Sequence, residues 1–311
     1  MKINEGTRQM TILRIEELTY GVDKLEECIE FLERWGLEKE SADASGARFK
    51  TLENQFIQLR LIEDPSLPPT YEDGATLREV MWGVDNQAAL EEIEAELGKD
   101  REITKDKNGN LHSHDDRNNY LGFKIADIVN ANIPKGNLNF VEDIKRVNER
   151  GWPEEHVTPI RIGHMVYSIE AEDNWAAAEF YINRLKFRLT DRSEDGGSFL
   201  RADGSNYHHN LFLFHRQGSR PYFNHLAFEV RSFDDVMVGG TNMLKHGAHS
   251  VSGPGRHSLG SNWFWYFNNP CGGDIEYFAD MDRMDENWEP RMWDKSPPYA
   301  RWMMGEDEIK G

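Results

Sequence analysis

Apolar positions recur along this chain in two rhythms. Short, nearly continuous apolar runs with period-two character read as strands, and stretches with apolar residues three and four apart read as helices. In the first half the pattern predicts a strand from Ile12 to Val22, a helix from Asp23 to Trp35, strands across Arg48 to Glu63, a strand from Leu77 to Val84, a helix from Gln87 to Leu97 and a strand from Tyr120 to Ile125. The same order then returns. A strand from Ile160 to Ile169 is followed by a helix from Asp173 to Leu185, strands across Ser198 to His215, a strand from Phe223 to Val230, a helix from Phe233 to His246, and strands from Asn262 to Phe267 and Asp274 to Phe278.

The repeat has a register. EFLERWGLE matches EFYINRLKF with Phe31 on Phe180, an offset of 149, and LREVMWGV matches FNHLAFEV with Val84 on Val230, an offset of 146. Nearly equal offsets indicate an internal duplication. Each half divides again into two units of strand, helix and a few antiparallel strands, so four such units, paired around a cavity, are expected. The boundaries this gives are 1–130, a mixed linker over 131–159, 160–280 and a tail over 281–311.

Composition narrows the class. With 311 residues, 38% hydrophobic and 29% charged, the chain is globular and long enough for a sizeable core. A formal charge of -19 without a dense Lys/Arg cluster argues against nucleic acid as a partner. The acidic residues concentrate in LEECIEFLERW and ALEEIEAELGKD, which read as solvated helix faces. Cys28 and Cys271 do not form a disulfide framework, no run of about 18 apolar residues predicts a membrane span, and MKINEGTRQM is no signal peptide. A soluble, cytoplasmic protein is expected.

Three polar residues lie where strand interiors are expected: His164 in IGHMVYSIE, His225 in NHLAFEV and Glu276 in GGDIEYF. Two imidazoles and one carboxylate make the facial set that holds a divalent iron and leaves its opposite side open. His209 in NYHHNLFLF and His257 in GRHS fall in similar runs, and Tyr266 follows His257 by nine residues. Any one of these alone is more often a hydrogen-bonded core residue, but together they point to a shared pocket. The duplication supplies a control: Glu17 falls opposite His164, Glu79 opposite His225 and Leu121 opposite Glu276, so the first half lacks the set and reads as structural.

GHMVY, YHHNLFLF, NHLAFEV, GRH, the aromatic strand with Tyr266, and GGDIEYF stand in the order and close to the spacing found in one family. The chain resembles the type I extradiol ring-cleaving dioxygenases of the vicinal oxygen chelate superfamily, and most strongly over Ile160 to Asp280. The resemblance implies an α+β fold of four βαβββ modules paired into two domains, each an open mixed barrel with helices outside. It implies that His164, His225 and Glu276 bind Fe(II), with Mn(II) as the other candidate, and that His209 is the acid/base, with His208 as its alternative. It further implies that His257 and Tyr266 hydrogen-bond the substrate, that an aromatic diol and O2 are the reactants, and that the protein is a homo-oligomer. The activity expected is extradiol cleavage, with His209 acting as an imidazolium toward activated oxygen. Phe212, Trp263, Trp265 and Phe267 are candidate cavity walls, one of each neighbouring pair facing inward. The segment SLGSNWFW and the Trp- and Met-rich tail WEPRMWDKSPPYARWMMGE depart from the family, and the tail is expected to pack against the body. Other metal enzymes of the superfamily, such as glyoxalases, epimerases and lyases, or metal-free binding modules, are the competing readings.

Overall fold

The computed structural model describes residues 10–133, 138–151, 156–172, 174–215, 217–218 and 220–305. Its elements fall into four modules of one design. The first is β1 (Ile12–Val22), α1 (Leu25–Arg34), β2 (Glu38–Asp43), β3 (Gly46–Lys50) and β4 (Phe56–Leu61). The second is β5 (Thr76–Val84), α2 (Gln87–Leu97), β6 (Thr104–Lys105), β7 (Leu111–His114) and β8 (Tyr120–Ile125). The third is β9 (Arg161–Ile169), α3 (Asn174–Glu179) running into a π-helical turn (Phe180–Arg184), β10 (Arg188–Ser193), β11 (Gly197–Arg201) and β12 (Leu211–His215). The fourth is β13 (Tyr222–Glu229), α4 (Phe233–Lys245), β14 (Ser250–His257), β15 (Trp263–Asn268) and β16 (Asp274–Ala279).

The duplication is therefore exact in topology. The first sheet runs β2-β3-β4-β1-β5-β8-β7-β6, and the second runs β10-β11-β12-β9-β13-β16-β15-β14 in the same positions. Two tail strands, β17 (Arg291–Trp293) beside β10 and β18 (Ala300–Met303) beside β14, extend the second sheet at both edges. Fold class and repeat follow the sequence expectation. The tail packs on the body as expected, but by edge pairing as well as by side chains.

The sequence reading missed β2, β6, β7, β10 and β14, which have little apolar rhythm. Every residue of β2 is exposed, β6 has two residues, β7 and β10 each carry a single apolar side chain, and β14 contains Ser, Gly and Pro. β2 and β6 are held by ladder hydrogen bonds to their neighbours, whereas β14 is partly buried but through Ser, Gly and Pro, which give no apolar rhythm.

One apolar core runs through both halves, so neither is an independent bead. The halves meet at specific contacts. Trp35 stacks flat on Tyr277, with centroids 3.5 Å apart, and the Tyr277 hydroxyl donates to the Trp35 carbonyl at 2.6 Å. Gln55, fully buried, bridges β1 and β9 by donating to the Ile15 and Ile162 carbonyls and accepting from the Ile162 amide. Cys28 and Cys271 are buried and free, and among the described residues no helix is long and apolar enough to cross a membrane.

Candidate metal centre

Three adjacent central strands of the second sheet carry the expected ligand set. His164 stands on β9, His225 on β13 and Glu276 on β16, and β13 lies between the other two. Alternation aims them. On β16 Glu276 faces the hollow of the sheet while Tyr277 faces away, onto Trp35 of the first half. On β13 a bulge between Phe223 and His225 breaks the alternation, so that Asn224 and His225 both line the cavity. The bulge makes His225 both a wall residue and a neighbour of its own hydrogen-bond acceptor.

The donor atoms of His164, His225 and Glu276 all lie within 4.8 Å of one another. Glu276 Oε2 sits 3.1 Å from His164 Nε2 and 3.4 Å from His225 Nε2, and the two imidazole nitrogens are 3.4 Å apart. Glu276 is fully buried, yet its Oε2 makes no well-aligned hydrogen bond. Burial alone raises the Glu276 carboxyl, but the His164 and His225 imidazoles outweigh it and hold it well below the usual carboxylate range. A buried carboxylate with an unused oxygen, faced by two imidazole nitrogens, fits a divalent cation.

Surrounding residues fix this presentation. His225 Nδ1 donates to Asn224 Oδ1 at 2.7 Å, which leaves Nε2 with a free lone pair. Asn262 Nδ2 donates to Glu276 Oε1 at 3.1 Å, which holds the carboxylate plane and leaves Oε2 for the site. Asn262 was not singled out in the sequence. It sits in SLGSNWFW, the segment that departs from the family pattern, and that departure was its only signal.

The three donors open on a cavity of about 540 Å³, within the range of small-molecule sites. Residues from all eight strands of the second repeat line it or supply its donors, which shows that the sheet curls into an open barrel. His209 faces this cavity; its ring centroid lies 4.2 Å from that of His164. His208 points the other way, with Nε2 2.8 Å from Asp191 Oδ2 and Nδ1 3.0 Å from His209 Nδ1. The geometry thus separates the pair that the sequence left as alternatives. Burial, then the charges that His164, His208 and His225 can carry, push His209 well below the ordinary imidazole range. This shift favours the neutral imidazole before any substrate is bound.

His257 and Tyr266 also line the cavity, but they bond to each other, His257 Nε2 to Tyr266 Oη at 3.0 Å. His257 Nδ1 donates to the Tyr299 carbonyl at 3.1 Å, so Nε2 is the acceptor of the tyrosine hydroxyl. Burial lowers His257 to about 4, and burial with the Glu276 charge raises Tyr266, so both are uncharged near neutral pH. Of the four aromatic walls expected, only Phe212 lines the cavity; Trp265 and Phe267 are fully buried in the core, and Trp263 packs on Phe233. Phe199, Phe214 and Tyr299 take their place, and Tyr299 comes from the tail.

The first half has filled the matching space. Glu17 pairs with Arg48 at 2.8 Å, and Glu79 with His112 at 2.8 Å. Strand register puts Gly122, and not Leu121, in the place of Glu276, because Gly122 pairs Met81 as Glu276 pairs Ala227. A side chain at Gly122 would meet Met81 Cε at 2.6 Å, so Met81 occupies the carboxylate's room. Among the described residues no second metal-ligating cluster occurs.

Residues 161–277 match the model of the Glyoxalase/Bleomycin resistance protein/Dioxygenase superfamily. The chain is 36% identical over 128 residues to metapyrocatechase 2 of Cupriavidus necator, covering 41% of this chain and 39% of that protein. It is 30% identical over 142 residues to the iron-dependent extradiol dioxygenase of Rhodococcus jostii, covering 42% of this chain and 47% of that one. These matches thus span less than half the length of either curated relative. The likeness in fold to solved two-domain structures extends over nearly the whole chain. A Mn(II)-bound glyoxalase from Novosphingobium aromaticivorans superposes with a TM-score of 0.72 at 22% identity, covering 96% of this chain and 94% of that one. A 2,3-dioxygenase from Pseudomonas sp. KL28 superposes with a TM-score of 0.72 at 19% identity, covering 92% of this chain and 98% of that one.

Proposed function

We propose that this chain is an Fe(II)-dependent extradiol dioxygenase that opens a catechol-type ring beside its hydroxyl pair and places both atoms of O2 in the product. The observation that carries the proposal is the coincidence, in one cavity, of the His164, His225 and Glu276 donor atoms with His209, His257 and Tyr266. The names of the two curated relatives support the reaction class. His164 Nε2, His225 Nε2 and Glu276 Oε2 are the atoms that would hold the metal. When bound, ferrous iron supplies the electron transfer between the diol and dioxygen, which zinc cannot.

The chain's own residues then have distinct tasks. His209, uncharged at rest, accepts a phenolic proton as the diol enters, which makes the ring a better electron donor. The same proton is returned to the departing oxygen when the O–O bond breaks, so no outside acid is required. Tyr266, kept protonated, can turn its hydroxyl from His257 to the substrate oxygen and donate there. Phe199, Phe212 and Tyr299 exclude water and hold a flat ring.

The test is oxygen uptake by protein reconstituted anaerobically with ferrous iron, screened over catechols, biphenyl diols and trihydroxylated aromatics. One O2 consumed per substrate with a yellow ring-opened product is expected. Oxygen-independent turnover with Mn(II) or Ni(II) would instead place the chain with the superfamily's Lewis-acid enzymes.

A further inference from the structure

Behind His209 a buried chain of hydrogen bonds leads away from the cavity to the tail. Trp293 Nε1 on β17 donates to Asp191 Oδ1 on β10 at 2.7 Å. Asp191 Oδ2 lies 2.8 Å from His208 Nε2, and His208 Nδ1 lies 3.0 Å from His209 Nδ1. Asp191, His208 and His209 are each at most 5% exposed, so no water competes for these positions. Parallel pairing of β17 with β10 sets Arg291 beside Asp191 and brings the indole onto the carboxylate.

The carboxylate at the outer end fixes the direction of the first two bonds in the chain. An indole N–H only donates, so Asp191 Oδ1 accepts from Trp293. A carboxylate only accepts, so His208 carries its proton on Nε2. With His208 as the neutral tautomer, its Nδ1 is an acceptor, and His209 donates to it from its own Nδ1. His209 Nε2 is left as a bare lone pair, with no protein hydrogen bond among the described residues, on a ring that lines the cavity.

We infer that Asp191, His208 and Trp293 are positioning residues that lock His209 in its Nδ1–H tautomer, so that Nε2 meets the substrate as a proton acceptor. The assignment rests on the dioxygenase reading for its catalytic consequence, but not for its geometry. It also gives the tail a task beyond packing, since Trp293 donates to the carboxylate that sets the polarity of the chain.

Asp191→Asn tests this by reversing that polarity. An asparagine amide can donate to His208 Nε2, which moves the His208 proton to Nδ1 and turns His209 into the Nε2–H tautomer. The readout is the ring nitrogen spectrum of 15N-histidine-labelled protein in its metal-free form, with the His209 signals assigned by their loss in His209→Gln. Wild type should show His209 protonated at Nδ1 and bare at Nε2, and Asp191→Asn should show the reverse. A wild-type His209 protonated at Nε2 overturns the inference without any need for a variant to fold, and so does an unchanged tautomer in folded Asp191→Asn. In the iron-loaded enzyme, Asp191→Asn should lower kcat by about 100-fold with KM within about threefold and iron content unchanged. Wild-type kcat in a variant whose tautomer has flipped would also sink it. If wild type consumes no oxygen with any diol while His209 shows the expected tautomer, the reaction assignment fails and the positioning assignment stands.

Discussion

Asn262 stands one hydrogen bond behind the carboxylate that faces the metal position, and its whole contribution is orientation. Replacing it with alanine leaves Glu276 Oε1 buried without a donor and lets the carboxylate rotate. Asn262→Ala should therefore weaken Fe(II) binding by about 10- to 100-fold, measured by competition with a chromogenic chelator, and affinity equal to wild type would remove Asn262 from the site. His209→Phe predicts a different pattern. The ring it replaces touches His164 without sharing its metal-facing nitrogen, so iron content should stay near wild type while ring opening slows by about 100-fold or more. Loss of iron in His209→Phe would move His209 among the ligands. Legibility at this scale was uneven. His164, His225 and Glu276 were readable because a polar residue inside an apolar strand demands a partner. The facing of His208 and His209 was not, because period-two alternation does not say which face of a strand is inside. Asn262 and Asp191 were invisible as isolated amide and acid side chains, since their roles exist only through contacts across the sheet.

Among the elements, β16 shows how one alternation serves two surfaces: Glu276 turns into the barrel, and Tyr277 turns out to meet Trp35. The bulge in β13 is the counterpart that the sequence did not disclose, and it recurs in the first half, where the register between β1 and β5 skips at Thr19 and Tyr20. Elements with an apolar face were legible almost to the residue, as β1, α2 and β8 are. Exposed edge strands were not, because nothing in their composition differs from a loop. The tail strands belong to this second class. The stretch between β17 and β18 brings Pro297, Pro298 and Tyr299 to the cavity, and the Tyr299 ring meets His257 edge-on with centroids 4.9 Å apart. Tyr299→Ala should raise KM for the diol severalfold while iron binding is unchanged, as steady-state kinetics on the reconstituted enzyme would register; an unaltered KM would mean that the tail does not bound the substrate.

For the whole molecule, the duplication has been put to unequal use. The first repeat closes its own hollow with Glu17–Arg48, Glu79–His112 and Met81, and lends α1 as a buttress to the strand that carries Glu276. Trp35, fully buried, is the centre of that contact, with Tyr277, Phe228 and Phe267 around it. Trp35→Ala should cost about 3–5 kcal/mol, and because the core is continuous, the loss should be shared by both halves in a single unfolding transition. Two separated transitions in wild-type calorimetry would show that the halves unfold independently.

The central claim is that two imidazoles and one carboxylate from three neighbouring strands hold a single divalent cation. Anaerobic equilibrium dialysis of Fe(II) against wild type, His225→Ala and Glu276→Ala tests it directly. The account predicts one tightly held iron per wild-type chain and none retained by either folded variant. Equal retention by the three proteins would contradict it.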